Sequence, residues 1–194
     1  LLSAENKIIK HIYRRRFLST STIWPYASRF IKNAKHLKSK NILVPEINAV
    51  YFYPKLNCDI ILYDYVEGKT LYQLACDNDL SFFPKLIHYV AHLHHLGIEF
   101  KDIHLSNIVL KEDAFTLLDL ESIRYQRKPL NVKQRARNLA YLFSRKEDIT
   151  LYKQFGLDRF LSGYFELTSL SGRLVAKTKR LVRCRVAEEL ASPA

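Results

Sequence analysis

Glycine is scarce in this chain. Only 5 of its 194 residues are glycine and the first is Gly68, whereas an average composition of about 7% would give roughly 13. A glycine-rich phosphate loop is therefore excluded from the first third. Methionine is absent even at position 1, so Leu1 is not read as an initiator end, and the chain is expected to be a piece of something longer with elements upstream. Cys58, Cys76 and Cys184 are odd in number, far apart and without a C-x-x-C pair. That disfavours a disulfide frame or a cysteine zinc site and points to a reducing, cytoplasmic-side location. No apolar run approaches the roughly 18 residues of a membrane span, and no signal-peptide pattern is present. Membrane contact, where it occurs, is expected to be peripheral, at the inner face of the cytoplasmic membrane.

What is present is an ordinary globular composition, 48% hydrophobic and 26% charged, with a formal net charge of +12. Disorder and collagen are set aside, and the length suits one domain or one and a half small ones. The basic residues are spread along the chain: 14–16, then Arg29, Lys32, Lys35 and Lys38, then Arg127 to Arg137, and a last group from Arg173 to Arg185. Each cluster alone reads as a solvated face. Together they imply attraction to a polyanion: nucleic acid, an anionic lipid surface or a phosphorylated sugar.

Residues 5–13 are β-branched-rich and read as a strand. Hydroxyl residues at 19–22 and Pro25 mark a helix start, and Ala27, Phe30, Ile31, Ala34 and Leu37 continue at helical spacing until Asn41 and Pro45. Residues 50–53 and 60–66 read as two strands around a turn, the second too apolar for an edge. A short helix is expected over 71–76 and a longer one over 82–96, with Leu86, Val90 and Leu93 inward and Gly97 as the stop. A loop follows, then a hairpin of 108–110 and 115–118 around Lys111-Glu112-Asp113. From Val132 the pattern is helical, with Gly156, Gly163 and Gly172 as expected breaks. His88, His92 and His95 share one helix face, but no further ligand completes a metal site.

The stretch with chemical content is Phe100-Lys101-Asp102-Ile103-His104-Leu105-Ser106-Asn107, followed by Leu118-Asp119-Leu120-Glu121. A helix ends at glycine, a loop offers a carboxylate and an amide five positions later, and a hairpin delivers a second carboxylate. Kinase-like phosphotransferases place their parts in this order, because phosphoryl transfer needs hard oxygen ligands for magnesium and a carboxylate facing the attacking hydroxyl.

On these residues the chain resembles the lipopolysaccharide core kinase group, the Kdo and heptose kinases with their toluene-tolerance-type relatives, within the protein-kinase-like superfamily. Lys7 to Arg15 resembles the strand carrying the nucleotide-contacting lysine, Tyr63 to Leu71 the hinge between lobes, and Arg135-Ala136-Arg137-Asn138-Leu139 the basic segment after the metal aspartate. The resemblance implies an α+β, protein-kinase-like two-lobed fold. A small, N-terminally truncated β-rich lobe would span 1–66 and a helical lobe 67–194, with the hinge near 63–71 and a basic C-terminal helix about 171–190. It implies ATP and Mg²⁺ as cofactors, with Asp102 as catalytic base and His104 near the transferring phosphate. Lys10 and Glu67 would be on the nucleotide, and Asn107 and Asp119 on the metal. Lys10 is preferred to Lys7 because Ile8, Lys10 and Ile12 share a strand face. The acceptor would be a sugar hydroxyl of the lipopolysaccharide inner core, an anionic glycolipid.

The departures from the pattern are specific. Phe100 and Lys101 stand where His and Arg usually precede the catalytic aspartate, and Glu121 stands where glycine ends the metal motif. The helix of Arg29 to Lys40 has no acid to pair with Lys10, only Asn33 near the expected place. The glycine-rich strand-loop-strand is missing and expected upstream. The alternatives are therefore a catalytically inactive kinase-like binding module, a protein Ser/Thr/Tyr kinase and, from charge alone, a nucleic-acid-binding protein.

Overall fold

The computed structural model describes residues 2–4, 6–13, 26–168 and 170–191. The basic cluster at 14–16, the hydroxyl run at 19–22 and Pro25 lie outside the described residues. The chain divides into two compact units, Leu1–Gly68 with Val109–Ser122, and Lys69–Ile108 with Ile123–Ala194. The first unit is thus discontinuous in sequence, since it takes in a segment from within the span 67–194.

In the first unit, strands β1 (Leu2–Ala4), β2 (Lys7–Tyr13), β3 (Ile47–Tyr53) and β4 (Cys58–Asp64) form an antiparallel sheet in the order β1-β2-β4-β3. The apolar β4 is interior, as its composition predicts, with Cys58 and Ile61 fully buried. Helix α1 (Tyr26–Lys38) turns Ala27, Phe30, Asn33, Ala34 and Leu37 inward. Phe30 stacks on Tyr63 of β4 at 5.8 Å between centroids. Burying Phe30 or Leu37 stabilises the unit by about 1.5–3 kcal/mol each. Asn41, at φ 57°, follows the helix in a left-handed turn that asparagine tolerates better than most residues. The expected hairpin forms from β7 (Ile108–Lys111) and β8 (Ala114–Leu117), with Glu112 at φ 55° in its turn. Leu117 N–H donates to the Leu43 carbonyl at 3.0 Å, which ties this hairpin to the segment after α1.

The second unit is mostly helical. Strand β5 (Lys69–Thr70) runs into α2 (Leu71–Cys76), whose start is a capping box: Gln73 N–H donates to Thr70 Oγ1 and Thr70 N–H donates to Gln73 Oε1. Helix α3 (Phe83–His95) buries Leu86, Val90 and Leu93 as its spacing predicts. The region after Gly97 is not simply a loop: β6 (Ile98–Phe100) pairs antiparallel with β9 (Ile123–Tyr125). Three-residue strands fall below what alternation reveals. Helices α4 (Val132–Ser144), α5 (Lys146–Phe155), α6 (Leu157–Glu166) and α7 (Gly172–Ala191) complete the unit. Phe83, Phe143, Tyr152 and Phe160 form its aromatic core, with ring centroids 5.0 Å apart for Phe143 and Phe160. Gly156, at φ 97°, does break the helices. Gly163 does not: it lies inside α6, where an added Cβ would stand 3.3 Å from Ile87 Cδ1 of α3. Its smallness serves helix packing.

Candidate active site

The strand-rich unit assembles one group of predicted residues. Strand alternation sends Ile8, Lys10 and Ile12 to the face shared with Ile61 and Tyr63 of β4, and the Lys10 ammonium lies 5.4 Å from the Phe30 ring centroid. Lys10 is 15% exposed at its side chain. Lys7 points the other way and pairs with Asp64, both well exposed. Lys10 Nζ donates to Asp119 Oδ1 at 2.6 Å and to Glu121 Oε1 at 2.8 Å. Burial works against the ammonium charge, but the Glu121 carboxylate and the hydrogen bonds to both acids outweigh it and raise the Lys10 pKa above its ordinary value. Lys10 thus has acidic partners, although none stands on α1.

Two local features place those acids. Asp119 adopts φ 52°, a left-handed conformation, directly before the 3-10 turn Leu120–Ser122. Leu120 is fully buried, so it acts as a plug between two carboxylates that reach back to one lysine. Asn33 of α1 donates its side-chain amide to the Leu120 carbonyl at 2.7 Å. Glu67 is exposed and accepts from Lys111 Nζ at 2.6 Å, an interaction that holds its carboxyl below the ordinary range.

The helical unit assembles the other group. The segment after β6 is pinned by the buried side chains of Ile103 and Leu105, between which His104 stays half-exposed, with Asp102 exposed just before them. Asn107, itself buried, donates Nδ2 to the Asp102 carbonyl at 3.0 Å, and the same nitrogen lies 2.8 Å from His104 Nε2. Leu105 N–H donates to buried Asp148 Oδ2 at 3.0 Å. Arg145 brings its guanidinium against the His104 ring, with Nη1 2.6 Å from Nδ1 and 2.5 Å from Nε2. Lys101, Asp102, Ile103, His104, Tyr141 and Arg145 line an open cleft of about 480 Å³. A carboxylate thus shares a concavity with two cations and a phenol, an arrangement that can receive both a hydroxyl and an anion.

Behind the loop lies a buried polar chain. Asn138 donates Nδ2 to the Phe100 carbonyl at 2.6 Å, so its Oδ1 must accept from His94 Nε2, 2.9 Å away. His94 Nδ1 then accepts from the Tyr164 hydroxyl at 2.7 Å, and the Tyr164 oxygen accepts from Arg135 Nη1 at 2.8 Å. Complete burial pushes the His94 pKa down to about 3, opposed by the Asn138 hydrogen bond and assisted by the nearby Arg135 charge. This chain holds Phe100, two residues before Asp102, from inside the core.

The predicted residues therefore fall into two sets, Lys10 with Asp119 in one unit, and Asp102, His104 and Asn107 in the other. Arg145, Asp148 and Asn138 have no role predicted from the sequence, while Asn33 is expected only near the place of the missing acid and Glu121 only as a departure from the motif's glycine. A weak signal existed for Glu121 and Asn138, which lie inside motifs that were read. Arg145 and Asp148 lie about 40 residues from the loop they serve, and no local pattern marks them. His88, His92 and His95 are exposed, and no metal-holding group of three occurs among the described residues.

No protein-family profile matches the sequence, and no curated protein matches it. Among solved structures the chain is similar in fold to the bifunctional kinase-methyltransferase WbdD, with a TM-score of 0.56 at 12% sequence identity. The match covers 97% of this chain and 46% of that one, so the chain spans less than half the length of this neighbour. The α+β class holds, and a kinase-containing enzyme shares the fold. The likeness does not reach the lipopolysaccharide core kinase family itself. Among the described residues no helix is long and apolar enough to cross a membrane.

Proposed function

We propose that the chain is the phosphotransferase part of an ATP-dependent kinase that acts on a hydroxyl group, with a sugar hydroxyl of the lipopolysaccharide inner core as its acceptor. The observation that carries this reading is Lys10, a largely buried strand lysine drawn onto Asp119, the carboxylate that follows the hairpin. A lysine and a metal-type aspartate are the pair that handles nucleotide phosphates in kinase-like enzymes. The fold shared with a kinase-methyltransferase supports it.

Asn107 and Asp119 are each the kind of hard oxygen donor that Mg²⁺ takes, an amide oxygen in one unit and a carboxylate in the other, and Asn107 donates its amide nitrogen to the Asp102 carbonyl. Held by such oxygens, the ion would neutralise charge on the phosphate oxygens. The chain's own residues do the rest. Asp102 accepts the proton of the attacking hydroxyl as its oxygen bonds to the γ-phosphorus, while the bond to the β–γ bridging oxygen breaks and ADP leaves with that electron pair. Arg145, lying against the His104 ring, supplies positive charge beside that proton transfer, and Lys10 binds the α- and β-phosphates. Glu67, on the nucleotide in the sequence reading, is engaged with Lys111 and is assigned no step.

The acceptor proposed is anionic, and the basic surface suits it. On α7, Arg173, Lys177 and Arg180 follow one another at one-turn spacing on an exposed face. A peripheral position on an anionic membrane fits the same charge.

The inactive-module reading rested on a lysine without an acid and on Glu121 in place of glycine. Lys10 is held by two acids, one of them Glu121, which weighs against that reading. The deciding experiment is ATP-dependent labelling of core lipid by the whole protein and by its Asp102→Ala variant, with circular dichroism to confirm folding. Labelling lost in the variant supports the reading; labelling unchanged removes Asp102 from the mechanism. Labelling of a protein acceptor instead would redirect it to a Ser/Thr/Tyr kinase.

A further inference from the structure

Helix α1, with the sequence Tyr-Ala-Ser-Arg-Phe-Ile-Lys-Asn-Ala-Lys-His-Leu-Lys, contains no acid at all. In protein kinases the lysine that binds the nucleotide phosphates is held by a glutamate on the helix packed against its strand. Here the inward residue of α1 nearest that duty is Asn33, and its amide is engaged with the Leu120 carbonyl. We infer that Glu121 is the positioning residue for Lys10, acting from the turn after Asp119 in place of a helix-borne acid. The inference rests on the phosphotransferase reading above and adds to it the residue that organises its lysine.

Three observations carry it. The first is depth: Lys10 and Glu121 are 15% and 19% exposed at their side chains, whereas Asp119 is 48% exposed. Of the two acids on the lysine, Glu121 is the sheltered one, and Asp119 keeps an open side from which to meet a cation. The second is dependence. Glu121 Oε2 is buried with no hydrogen-bond partner, so the charge of this carboxylate is offset chiefly by Lys10 through Oε1. A buried carboxylate of this kind is tolerated when a lysine stands against it. The third is anchorage: Leu120, between the acids, is fully buried and its carbonyl is tied to Asn33. The same turn therefore sets the position of both acids relative to the lysine.

A mechanical consequence follows. In kinases whose lysine partner sits on a helix, a shift of that helix breaks the ion pair and turns the enzyme off. Lys10 is held instead by the segment that carries Asp119, and α1 reaches the lysine only indirectly, through the neutral hydrogen bond from Asn33 to the Leu120 carbonyl. Lysine and metal-type aspartate are ordered together, by one turn.

The test uses the whole protein and four variants, Glu121→Gln, Glu121→Asp, Lys10→Met and the double variant Glu121→Gln with Lys10→Met, with folding checked by urea denaturation. One arm needs no nucleotide: the rate at which an amine-reactive reagent modifies Lys10, read by mass spectrometry at pH 9. Glu121 holds the Lys10 amine in a sheltered position, so Glu121→Gln, which releases it toward solvent, should raise that rate several-fold and Glu121→Asp less. An unchanged rate overturns the inference. The second arm measures Mg-ATP binding by calorimetry. Glu121→Gln should weaken it roughly ten-fold, the size expected when a charged hydrogen bond is lost. Glu121→Asp should recover part of the loss, and the double variant with Lys10→Met should bind no worse than Lys10→Met alone. Additive losses in the double variant overturn the inference. Absence of Mg-ATP binding by the unmodified protein overturns the phosphotransferase reading instead, and the reactivity arm alone then decides whether Glu121 holds Lys10.

Discussion

The side-chain amide of Asn33 donates to the backbone carbonyl of Leu120 across 2.7 Å, from the one polar side chain that α1 buries. A helix that contributes a neutral hydrogen bond to this turn, and no charge, places the acids without competing for the lysine between them.

Asn33→Leu should therefore destabilise the protein by about 1–3 kcal/mol, the cost of leaving a buried carbonyl unpaired, read as a lower urea midpoint. Asn33→Asp, which puts an acid where kinases usually carry one, should be worse than Asn33→Leu at neutral pH. Its carboxylate would face the Leu120 oxygen without a proton to donate. An Asn33→Asp protein as stable as the parent would contradict the assignment of that contact.

His94 makes stability depend on pH. Its pKa falls from the ordinary 6.5 to about 3 in the folded protein because it is completely buried. The unfolded chain therefore binds the extra proton between those values, and stability rises with pH through that window. The contribution is complete above about pH 6.5 and is lost on acidification toward pH 3, with a slope of up to about 1.4 kcal/mol per pH unit. Urea unfolding at pH 7, 6, 5 and 4 should show the loss. His94→Gln, less stable at pH 7, should show a shallower slope, and equal slopes would assign the acid sensitivity to other groups.

Two glycines should respond very differently to alanine. Gly97 sits at φ 76°, and a Cβ there would lie 2.4 Å from the Gln126 carbonyl oxygen and 2.5 Å from that of Lys128. Gly97→Ala should cost several kcal/mol, about 2 or more, by combining backbone strain with a clash against main chain. Gly163→Ala meets only the end of a flexible side chain, Ile87 Cδ1 at 3.3 Å. It gains about 1 kcal/mol of helix propensity, so a net change within about 1 kcal/mol is expected. Thermal unfolding of the two variants distinguishes them directly.

The ridge of α7 carries the prediction about surfaces. Arg173, Lys177 and Arg180 are exposed, and Leu174 beside them is 38% exposed. Vesicles containing phosphatidylglycerol should sediment the protein at low salt and release it as salt rises. The triple change to glutamate should lose most of that binding, at about 1 kcal/mol per basic residue removed. Sedimentation indifferent to both salt and charge reversal would remove the membrane from the proposed function.

Much of the fold was legible from periodicity. The inward faces of α1 and α3, the interior placement of β4 and the turn between β7 and β8 all follow from apolar spacing and turn residues. The pair β6 and β9 did not show, because three residues are too few for an alternation to register. Gly163 read as a break because glycine marks both helix ends and tight helix contacts, and only the neighbour, Ile87, tells them apart. In the candidate site, alternation separated Lys10 from Lys7 correctly as to face. The partner of Lys10 did not show, since the sequence reading sought it on α1.

By itself, the sequence determined which residues can carry charge and chemistry, and in what order: Lys10, Asp102, Asn107, Asp119 and Glu121, on elements whose type follows from local pattern. Local pattern has this power because a helix or strand repeats within a few residues, and its side-chain direction is set by backbone geometry. Tertiary structure alone decided which charges meet. Glu121 reaches Lys10 across 111 positions of sequence and Arg145 reaches His104 across 41. A half-buried lysine and a half-buried carboxylate attract one another across space, through a medium that screens less than water. No spacing along the chain encodes that choice, so an apparent departure from a motif became a partner only when the turn at Leu120 folded back onto β2.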